Sequence, residues 1–358
     1  MKKILIVTGG SGGHVFPAIS IYDHLYENFD TSIVTDIRGS RFINQDKYEF
    51  NLIDVPNLFS KLYLFPVNFI KFLYSIIKSF FYLKKNNIDI LISTGGYMSI
   101  PLCLAAKIFN KKILLLEPNS VLGRANKLIL KISSRIICYD ENLRLFPKKY
   151  NNKIYLIDRI LRKEIYFSQK NKSKEFKTLK KILVLGGSQG AKFFDKNICN
   201  LLINISKKLN LEVCQQVFDK DERVLLERKY NEAGIKFKLF EFDENISKIM
   251  HNYDLAITRS GANSISELAY LNVPFLAIPF PFAKDDHQFF NADYYKVKNC
   301  CWLIRQSDFD TFETENLIIS LFEEKADYFV KKENLEKISN QNTWNNVNKK
   351  LIDLINEN

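Results

Sequence analysis

The chain has 358 residues, of which 46% are hydrophobic and 26% are charged, and it carries a formal net charge of +12. This composition is typical of a soluble globular protein, and the length predicts about two domains rather than one. The cysteines show no C-x-x-C spacing, which argues against a zinc site or a disulfide framework and predicts buried free thiols at Cys103, Cys138, Cys199, Cys214, Cys300 and Cys301.

The amino-terminal segment reads MKKILIVTGG. Its apolar run breaks at Gly9 after a handful of residues, and no small-residue cleavage site follows, which argues against a signal peptide. We therefore expect this segment to form the first strand of a cytoplasmic protein.

Short β-rich apolar runs alternate with helical periodicity in both halves of the chain. The runs lie at 3–8, 32–35, 88–93, 112–116 and 135–138, and then at 182–186, 211–217, 236–240, 254–258 and 275–278. This alternation is typical of parallel, doubly wound α/β sheets. We predict two Rossmann-like domains, at 1–162 and 181–335, with a linker at 163–180 and a helical segment at 336–358 that packs back on the first domain.

Each predicted domain opens with a strand that ends in a glycine-rich turn, GGSGGH at 9–14 and GGSQGA at 186–191. Such a turn either brings the backbone close to a ligand, usually phosphate, or allows tight strand-to-helix packing. Neither turn fits G-x-G-x-x-G, and the chain has no G-x-x-x-x-G-K-[ST] motif, which argues against an NTPase. His14 stands at the mouth of the first helix, where it either moves a proton near neutral pH or has a structural role, capping the helix or packing at its start.

Three polar patterns in the second half have structural alternatives. Ser264 and Glu267 have the spacing of a capping box, although a carboxylate at the first helical turn also suits the vicinal hydroxyls of a ribose. Lys284, His287 and Gln288 lie in a loop that an ordinary solvated turn would also explain. The pairs Asp219/Asp221 and Asp308/Asp310 are not tied to the glycine turns, and we expect no metal site there.

Positive charge is concentrated between Val55 and Arg135, where twelve lysines and arginines stand against two acidic residues, Asp89 and Glu117. Such an excess predicts an acidic partner or an anionic surface.

Residues 62–83 are strongly apolar but interrupted by polar residues, which argues against a membrane span. On a helix, two stripes of positive charge would follow, one at Lys71, Lys78 and Lys85 and one at Arg124, Lys127, Lys131 and Arg135. These stripes favour a surface that lies on an anionic bilayer over the alternative, a core helix with a solvated lysine edge.

Six stretches resemble, in order and spacing, the MurG family of bacterial glycosyltransferases: GGSGGHVFPA (9–18), STGGYMSIP (93–101), EPNSVLGRANK (117–127), GGSQGA (186–191), RSGANSISELAYLNVPFLAIPF (259–280) and KDDHQFFNA (284–292). The resemblance implies a GT-B architecture, in which two Rossmann-like domains surround a central cleft. It also implies transfer of GlcNAc from UDP-GlcNAc to the C4 hydroxyl of undecaprenyl-diphospho-MurNAc-pentapeptide, which forms the final lipid-linked disaccharide precursor of peptidoglycan. The enzyme would need no cofactor or metal, and it would lie peripherally on the anionic cytoplasmic face of the plasma membrane without binding nucleic acid.

Carried over position by position, the resemblance implies site residues in both domains. The first, acceptor- and membrane-binding domain would supply Ser11, Gly12 and Gly13, which line the donor sugar and the catalytic end of the cleft, and Asn119, which reaches the donor sugar. In the second, donor-binding domain, Ser188 would meet the diphosphate and Gln288 the GlcNAc. The nucleotide would be held by Ala262, Asn263, Ser264, Ile265, Ser266 and Glu267, with Glu267 on the ribose.

Two further positions depart from the family pattern. Arg162 corresponds to the arginine that ends the family's Gly-Asn-Pro-Val-Arg run, which here reads DRILR at 158–162. Asp243 stands where the family commonly has an isoleucine whose backbone helps to read uracil, and this change would still allow a backbone contact.

The resemblance implies an inverting displacement at C1, because UDP-GlcNAc has an α linkage and the family's product a β linkage. No enzyme nucleophile is then needed, and His14 is our candidate general base. Backbone N–H groups of the turn at 186–191, aided by Arg162, would stabilise the departing diphosphate. Three alternatives stay open: a transferase of the same fold acting on another lipid such as diacylglycerol, a nucleic-acid-binding protein that uses the basic region, and an inactive UDP-sugar-binding subunit.

Overall fold

The computed structural model describes residues 1–56, 63, 65–171, 175–187, 192–241 and 246–357. The chain divides into two compact units. The first unit comprises Met1–Lys163 and Thr343–Asn358, and the second unit comprises Glu164–Asn342.

The first unit is built on a seven-stranded sheet in which neighbouring strands run parallel. Its central strands are runs of Ile, Leu and Val that are buried on both faces, as parallel strands covered by helices require. Across the sheet the strands are β3 (Phe50–Leu52), β2 (Asp30–Thr35), β1 (Lys3–Val7), β4 (Ile90–Ser93), β5 (Lys112–Leu116), β6 (Arg135–Cys138) and β7 (Ile154–Leu156).

Helices connect the strands of the first unit, and one hydrophobic cluster between helices and sheet includes Leu5, Leu91 and Ile113. The connecting helices are α1 (Gly12–Leu25), α2 (Ile37–Ser40), α3 (Phe65–Asn86), α4 (Ser99–Ile108) and α5 (Arg124–Ile129), with a 3₁₀ helix at Lys148–Lys153. The short helix α6 (Lys163–Tyr166) begins at the last residue of this stretch and continues into the second unit.

The second unit repeats this plan with a six-stranded parallel sheet. Its strands are, across the sheet, β10 (Lys236–Phe240), β9 (Leu211–Gln216), β8 (Lys180–Leu185), β11 (Leu255–Thr258), β12 (Phe275–Ala277) and β13 (Trp302–Leu303). Its helices are α7 (Cys199–Ser206), α8 (Lys220–Glu232), α9 (Ile246–Ile249), α10 (Ala262–Tyr270), α11 (His287–Val297), α12 (Thr311–Glu323) and α13 (Ala326–Gln341), with a π-helix at Phe194–Ile198 and 3₁₀ turns at Met250–Asn252, Lys284–Asp286 and Gln306–Asp308.

The prediction of two doubly wound α/β domains is confirmed, and each predicted strand overlaps an observed one. Three strands, β3, β7 and β13, were not predicted. Each has two or three residues and lies at the edge of its sheet. The six cysteines are buried and free, as predicted.

The chain passes between the units after Lys163 and after Asn342. Residues 164–180, predicted as a linker, belong to the second unit. The predicted terminal segment 336–358 is divided, because residues 336–341 complete α13 in the second unit. Only the last helix, α14 (Trp344–Asn356), packs in the first unit, where the Trp344 ring stacks on His24 of α1 with ring centroids 3.6 Å apart.

Helix α3 turns large apolar side chains outward. Its inward positions include the small residues Ser75 and Ser79, and Leu83. Ile70 is 67% exposed and Phe81 is 63% exposed, and they share the outer surface with Val67, Phe69, Leu73, Tyr74 and Ile77. The core-helix alternative is therefore wrong for this apolar face. Within the described ranges, no helix is both long enough and apolar enough to span a bilayer.

The second predicted stripe of positive charge does not lie on one helix. Helix α5 carries Arg124 and Lys127 but ends at Ile129, and Arg135 begins strand β6. The Arg135 guanidinium donates to the Asn152 carbonyl, and its Nε lies 3.4 Å from a Glu357 carboxylate oxygen. The i, i+4 spacing was wrong here because a turn and a strand follow the short helix.

Strand order reverses at one point in each sheet, between β1 and β4 in the first unit and between β8 and β11 in the second. In open α/β sheets, ligands bind outside the carboxyl ends of the strands at such a switch point. The first glycine turn follows β1, and the second follows β8. The stretch that begins at Thr94 follows β4, and the stretch that begins at Arg259 follows β11.

Candidate functional site

In the first unit, two glycine-rich segments meet at the switch point. Gly10 follows β1, and Gly95 and Gly96 follow β4, with φ values of 84°, 90° and 81° that favour glycine because it lacks a Cβ. A Cβ on Gly96 would lie 3.2 Å from the Gly9 carbonyl oxygen. The two segments therefore approach more closely than side chains would allow.

His14 is the third residue of α1, and its ring points to the end of β4. Its Nδ1 lies 2.9 Å from the Thr94 carbonyl oxygen. Since a carbonyl oxygen only accepts hydrogen bonds, Nδ1 carries the proton in the neutral ring and the lone pair is on Nε2. Nε2 has no hydrogen-bond partner in the described part of the chain, and the residue is partly exposed. This tautomer suits a general base. The ring makes no helix-capping hydrogen bond in the described part of the chain, but it packs closely against Gly95 and Gly96, as the packing alternative predicts.

The predicted residues around His14 share the start of α1. Ser11 is the exposed N-cap residue, although its side chain makes no capping hydrogen bond. A Cβ on Gly12 would lie 2.8 Å from the Phe16 ring, while one on Gly13 would have room, 3.5 Å from the Ser11 hydroxyl. The Arg162 guanidinium lies over the same Phe16 ring, 5.5 Å from its centroid. The fold thus places Arg162 close to the first glycine turn.

Asn119 lies in the loop after β5 and is held by a buried carboxylate. Its backbone N–H and its side-chain amide both donate to Oε1 of Glu117, at 3.2 and 3.0 Å. Oε2 of Glu117 accepts from the Gly123 N–H at 2.7 Å and from the Asn126 amide at 2.9 Å. Glu117, to which the sequence analysis assigned no role, therefore organises this loop.

In the second unit, Gly187 has a φ of 64°, and its N–H donates to Oε1 of Gln216 at the end of β9, 3.3 Å away. The Gln216 amide donates in turn to the Glu241 carbonyl. Two predicted donor contacts, Ser188 and Asp243, lie outside the described residues.

The predicted capping box at Ser264 and Glu267 is wrong. Helix α10 begins at Ala262 with Gly261 as its N-cap, so Ser264 is the third residue and Glu267 the sixth. A capping box would make Ser264 the N-cap residue. The backbone is extended at Gly261 (φ −62°, ψ 132°) and helical directly after it, so the helix begins three residues earlier than the box requires. Glu267 is accordingly in the second turn, 4% exposed.

The other predicted nucleotide contacts on α10 differ in exposure. Ala262 and Asn263 are half-buried in its first turn, whereas Ile265 and Ser266 are buried. The Ser266 hydroxyl donates to the Ala262 carbonyl at 2.5 Å. The side chains of Ala262 and Asn263 are thus more open to a ligand than those of Ile265 and Ser266.

Gln288, in the first turn of α11, is oriented by two backbone groups. Its Oε1 accepts from the Ser260 N–H at 3.2 Å and from the Phe280 N–H at 3.0 Å, which ties the segments after β11 and β12 together. The amide NH₂ then faces away from these donors and has no hydrogen-bond partner in the described ranges. A sugar hydroxyl or carbonyl oxygen is a suitable acceptor for it.

Arg259 is a functional candidate that the sequence analysis quoted without a role. It directly follows β11 and is buried, and burial lowers the pKa of its guanidinium to about 10. The guanidinium donates to the carbonyls of Ile278 and Pro279 at 3.0 Å and to Oε1 of Gln306 at 2.7 Å. The sequence signal that could have identified Arg259 was its position, a charged residue immediately after an apolar strand.

Two buried aspartates, one in each unit, were also missed. Asp36 follows β2, and its carboxylate accepts the Gly10 N–H at 2.9 Å. Asp195 lies in the π-helix after the second turn, where the Gln215 amide donates to Oδ1 at 3.2 Å and the buried Oδ2 has no partner within the described ranges. Burial raises the pKa of the Asp195 carboxyl to about 6.

The Asp-x-Asp pairs contain helix caps. Asp219 accepts hydrogen bonds from the N–H groups of Asp221 and Glu222 at the start of α8, and Asp310 accepts from Glu313 N–H at the start of α12. These bonds account for the two aspartates by helix capping. In the part of the chain that the structure describes, no three His, Cys, Asp or Glu residues are grouped to hold a metal ion.

Comparison with known proteins gives matches over both units. The glycosyltransferase family 28 N-terminal domain matches residues 4–138, and the glycosyltransferase family 28 C-terminal domain matches residues 181–348. The crystal structure of MurG from Acinetobacter baumannii superimposes with a TM-score of 0.77 at 22% identity, covering 99% of both chains. An MnaA–UDP co-structure from S. aureus gives a TM-score of 0.70 at 13% identity, covering 99% of this chain and 95% of that one. These two structures share the fold.

Two relatives carry the name UDP-N-acetylglucosamine--N-acetylmuramyl-(pentapeptide) pyrophosphoryl-undecaprenol N-acetylglucosamine transferase. The protein from Pelagibacter ubique is 44% identical over 361 residues, covering 100% of this chain and 99% of its own. The protein from Rickettsia canadensis is 31% identical over 332 residues, covering 90% and 91%. The chain therefore belongs to glycosyltransferase family 28, within the MurG family of N-acetylglucosamine transferases.

Proposed function

We propose that this protein is an inverting hexosyltransferase that moves GlcNAc from UDP-GlcNAc to the C4 hydroxyl of undecaprenyl-diphospho-MurNAc-pentapeptide. The observation that carries this proposal is the 44% identity, across the entire chain, to the Pelagibacter ubique transferase named for this reaction. The position of His14 at the switch point of the first sheet supports it.

His14 acts as the general base in this proposal. Nε2 takes the proton of the C4 hydroxyl while the hydroxyl oxygen bonds to C1 of GlcNAc, and the bond from C1 to the diphosphate oxygen breaks. C1 is inverted, and UDP leaves with the electron pair of the broken bond. The hydrogen bond from Nδ1–H to the Thr94 carbonyl keeps the lone pair on Nε2 and stabilises the imidazolium that forms.

The second unit binds the donor. The first turn of α10 offers backbone N–H groups, and the buried carboxylate of Glu267 lies one turn further along the helix. The Gln288 amide, fixed through its oxygen by Ser260 and Phe280, donates to the sugar. No metal ion enters this mechanism.

We further propose that the outer face of α3 rests on the cytoplasmic face of the plasma membrane, as a peripheral contact. Eight large apolar side chains on this helix are exposed, Phe65 among them, and the exposed Lys71, Lys78, Lys84 and Lys85 lie on the same helix. A broad apolar face with lysines is the form of an interfacial helix attracted to anionic lipid. This location suits an acceptor whose lipid tail stays in the bilayer.

The reaction is tested by incubating the protein with radiolabelled UDP-GlcNAc and a short-chain MurNAc-pentapeptide diphospholipid, beside diacylglycerol and beside no acceptor. Label in the first lipid alone is the expected result. Label in diacylglycerol would overturn the acceptor assignment, and label in neither lipid would favour an inactive UDP-sugar-binding subunit.

The membrane contact is tested by replacing Lys71, Lys78 and Lys85 with Glu. Sedimentation with anionic vesicles should weaken by about 1 kcal/mol for each positive charge removed, and raising the salt concentration should weaken the wild type in the same direction. The matched control replaces three exposed lysines of the second unit, Lys220, Lys248 and Lys296, with Glu. Equal losses in both triple variants would mean that net charge, not the α3 face, governs binding.

A further inference from the structure

We propose that Asp36 is a positioning residue for His14, acting through the backbone of the first glycine turn. This inference rests on the proposed role of His14 as the base. Asp36 directly follows β2, is 1% exposed and caps the short helix α2. Nothing in the sequence pattern marks it, because it lies outside every glycine-rich stretch.

The Asp36 carboxylate accepts four hydrogen bonds. Oδ1 accepts the N–H of Gly39 at 2.8 Å and the N–H of Gly10 at 2.9 Å. Oδ2 accepts from Nε of Arg38 at 3.0 Å and from a terminal nitrogen of the same guanidinium at 2.9 Å. Burial alone raises the pKa of this carboxyl, but the four hydrogen bonds and the Arg38 charge outweigh burial and hold the pKa below its ordinary value. The side chain is therefore ionised, and it holds the backbone N–H groups of Gly10 and Gly39 in place.

The bond to Gly10 replaces a bond of the parallel ladder. Strands β1 and β2 pair in register, and the last ladder bond runs from the Thr8 N–H to the Val34 carbonyl at 3.0 Å. The next bond of the series would run from the Gly10 N–H to the Asp36 carbonyl. Gly10 turns out of the strand at a φ of 84°, and its N–H meets the Asp36 side chain instead.

The fit between carboxylate and turn is close. A Cβ on Gly9 would lie 2.8 Å from Oδ1 of Asp36, and one on Gly39 would lie 3.1 Å from the same oxygen. A displacement of the carboxylate therefore moves the turn with it.

The turn transmits this position to His14. The Gly9 carbonyl accepts from the Ser11 N–H at 3.2 Å, and the Ser11 carbonyl accepts from the His14 N–H at 3.0 Å. On the opposite side, the Thr94 carbonyl holds the imidazole. Strands β2 and β4 flank β1 on its two sides. Asp36, after β2, therefore fixes the backbone of the turn, and Thr94, after β4, fixes the ring of His14. Misplacement of a reacting group by about 1 Å can cost ~10²-fold in rate. Loss of the hydrogen bond from Gly10 to Asp36 should therefore lower the rate of transfer.

The test compares Asp36→Ala with Asp36→Asn. The amide oxygen of Asn can still accept from Gly10 and Gly39, whereas Ala removes both bonds. We expect kcat to fall about tenfold or more in the Ala variant and to recover to within about threefold of wild type in the Asn variant. The KM for UDP-GlcNAc should change less than kcat in both variants, because the nucleotide is assigned to the second unit and only the donor sugar to the first turn. The control is Asp219→Ala, which removes another aspartate that accepts two backbone N–H groups; it should lower the thermal midpoint and leave kcat unchanged.

A second measurement needs no substrate. In protein labelled with ¹⁵N-histidine, the His14 ring should show the Nδ1–H tautomer in the wild type and in Asp36→Asn, and a tautomer mixture in Asp36→Ala. A wild-type kcat and tautomer in the Ala variant would overturn the proposal, and so would an Asn variant as impaired as the Ala variant. If the wild type transfers no GlcNAc, the proposed reaction fails, while the spectrum still decides whether Asp36 positions His14.

Discussion

The two glycine turns begin with the same three residues but are held by different groups. In both, the N–H of the second glycine donates to a side-chain oxygen at the end of the neighbouring strand. In the first unit that acceptor is the ionised Asp36, at 2.9 Å, and in the second it is the neutral Gln216, at 3.3 Å. The proposed roles match this difference, since a carboxylate beside the second turn would repel the diphosphate of UDP-GlcNAc whereas an amide does not.

Each unit also has a buried aspartate to which the sequence analysis gave no role, Asp36 in the first and Asp195 in the second, and the two pKa values move in opposite directions. Hydrogen bonds hold the pKa of Asp36 below its ordinary value in spite of burial, whereas burial raises the pKa of Asp195 to about 6. Asp36 thus adds stability that is lost as the pH falls through its depressed pKa. Asp195 subtracts stability above pH 6. The duplicated fold therefore responds to pH differently in its two halves.

The largest effect that would sharpen this comparison is expected for His14→Ala. Removal of the base should lower kcat by ~10² or more and leave UDP-GlcNAc binding within a few-fold, because nucleotide binding is assigned to the second unit and proton transfer to the first. Steady-state kinetics and equilibrium binding of UDP-GlcNAc measure the two effects separately.

The control for His14→Ala is His251→Ala. His251 is half-buried in the 3₁₀ turn before β11, at the amino end of that strand, and it should be kinetically silent. Near-normal turnover of His14→Ala would remove His14 as the base and leave the first turn with a structural role alone.

The second prediction concerns Asp195→Asn. Between pH 3.8, the ordinary pKa, and pH 6, the folded protein binds more protons at this site than the unfolded chain, so stability falls as the pH rises through this window. Asn stays neutral and removes this dependence. The free energy of unfolding of the variant relative to wild type should therefore rise by about 2 kcal/mol from pH 4.5 to pH 8.

Denaturant titrations of wild type and Asp195→Asn at the two pH values measure this change. Asp219→Asn, at an exposed helix cap, serves as the control and should show no such rise. A pH-independent difference for Asp195→Asn would mean that Oδ2 is partnered and that the contrast with Asp36 does not exist.

Much of the fold could be predicted because the strands that form the two sheet centres are runs of buried aliphatic residues. The edge strands β3, β7 and β13 have two or three residues each and no alternation to detect. The i, i+4 spacing of Lys127, Lys131 and Arg135 suggested one helix, yet the chain turns after Ile129 and enters β6. Local periodicity is informative only where an element is long enough to repeat.

The site was predicted less completely, for a related reason. His14 and Gln288 stand in or beside quoted motifs, so their position at a strand end followed from the fold. Asp36 and Asp195 act through partners 26 and 20 residues away, and such pairings appear only after the sheet has formed. The roles assigned to the individual site residues stay predictions until they are measured.

The third prediction addresses donor binding in the second unit. Glu267→Gln should raise the KM for UDP-GlcNAc about tenfold with a smaller change in kcat, because a hydrogen bond to a charged group contributes more than one to an amide. The matched control is Glu315→Gln, which removes another buried carboxylate of this unit, one paired with Lys208 at 3.1 Å. If both variants raise KM equally, the effect comes from the fold of the unit and not from ribose binding.

The smallest effect is expected for Ser264→Ala, and it separates the two interpretations of this motif. As the third residue of α10, Ser264 caps nothing, and Ala has the higher helix propensity, so the free energy of unfolding should change by less than about 0.5 kcal/mol. Asp310→Ala, which removes an observed N-cap, should cost about 1 kcal/mol. A loss for Ser264→Ala as large as for Asp310→Ala would restore the capping box. An unchanged stability with a raised KM for UDP-GlcNAc would instead place the Ser264 hydroxyl on the nucleotide, which is what its half-buried position in the first turn of the helix allows.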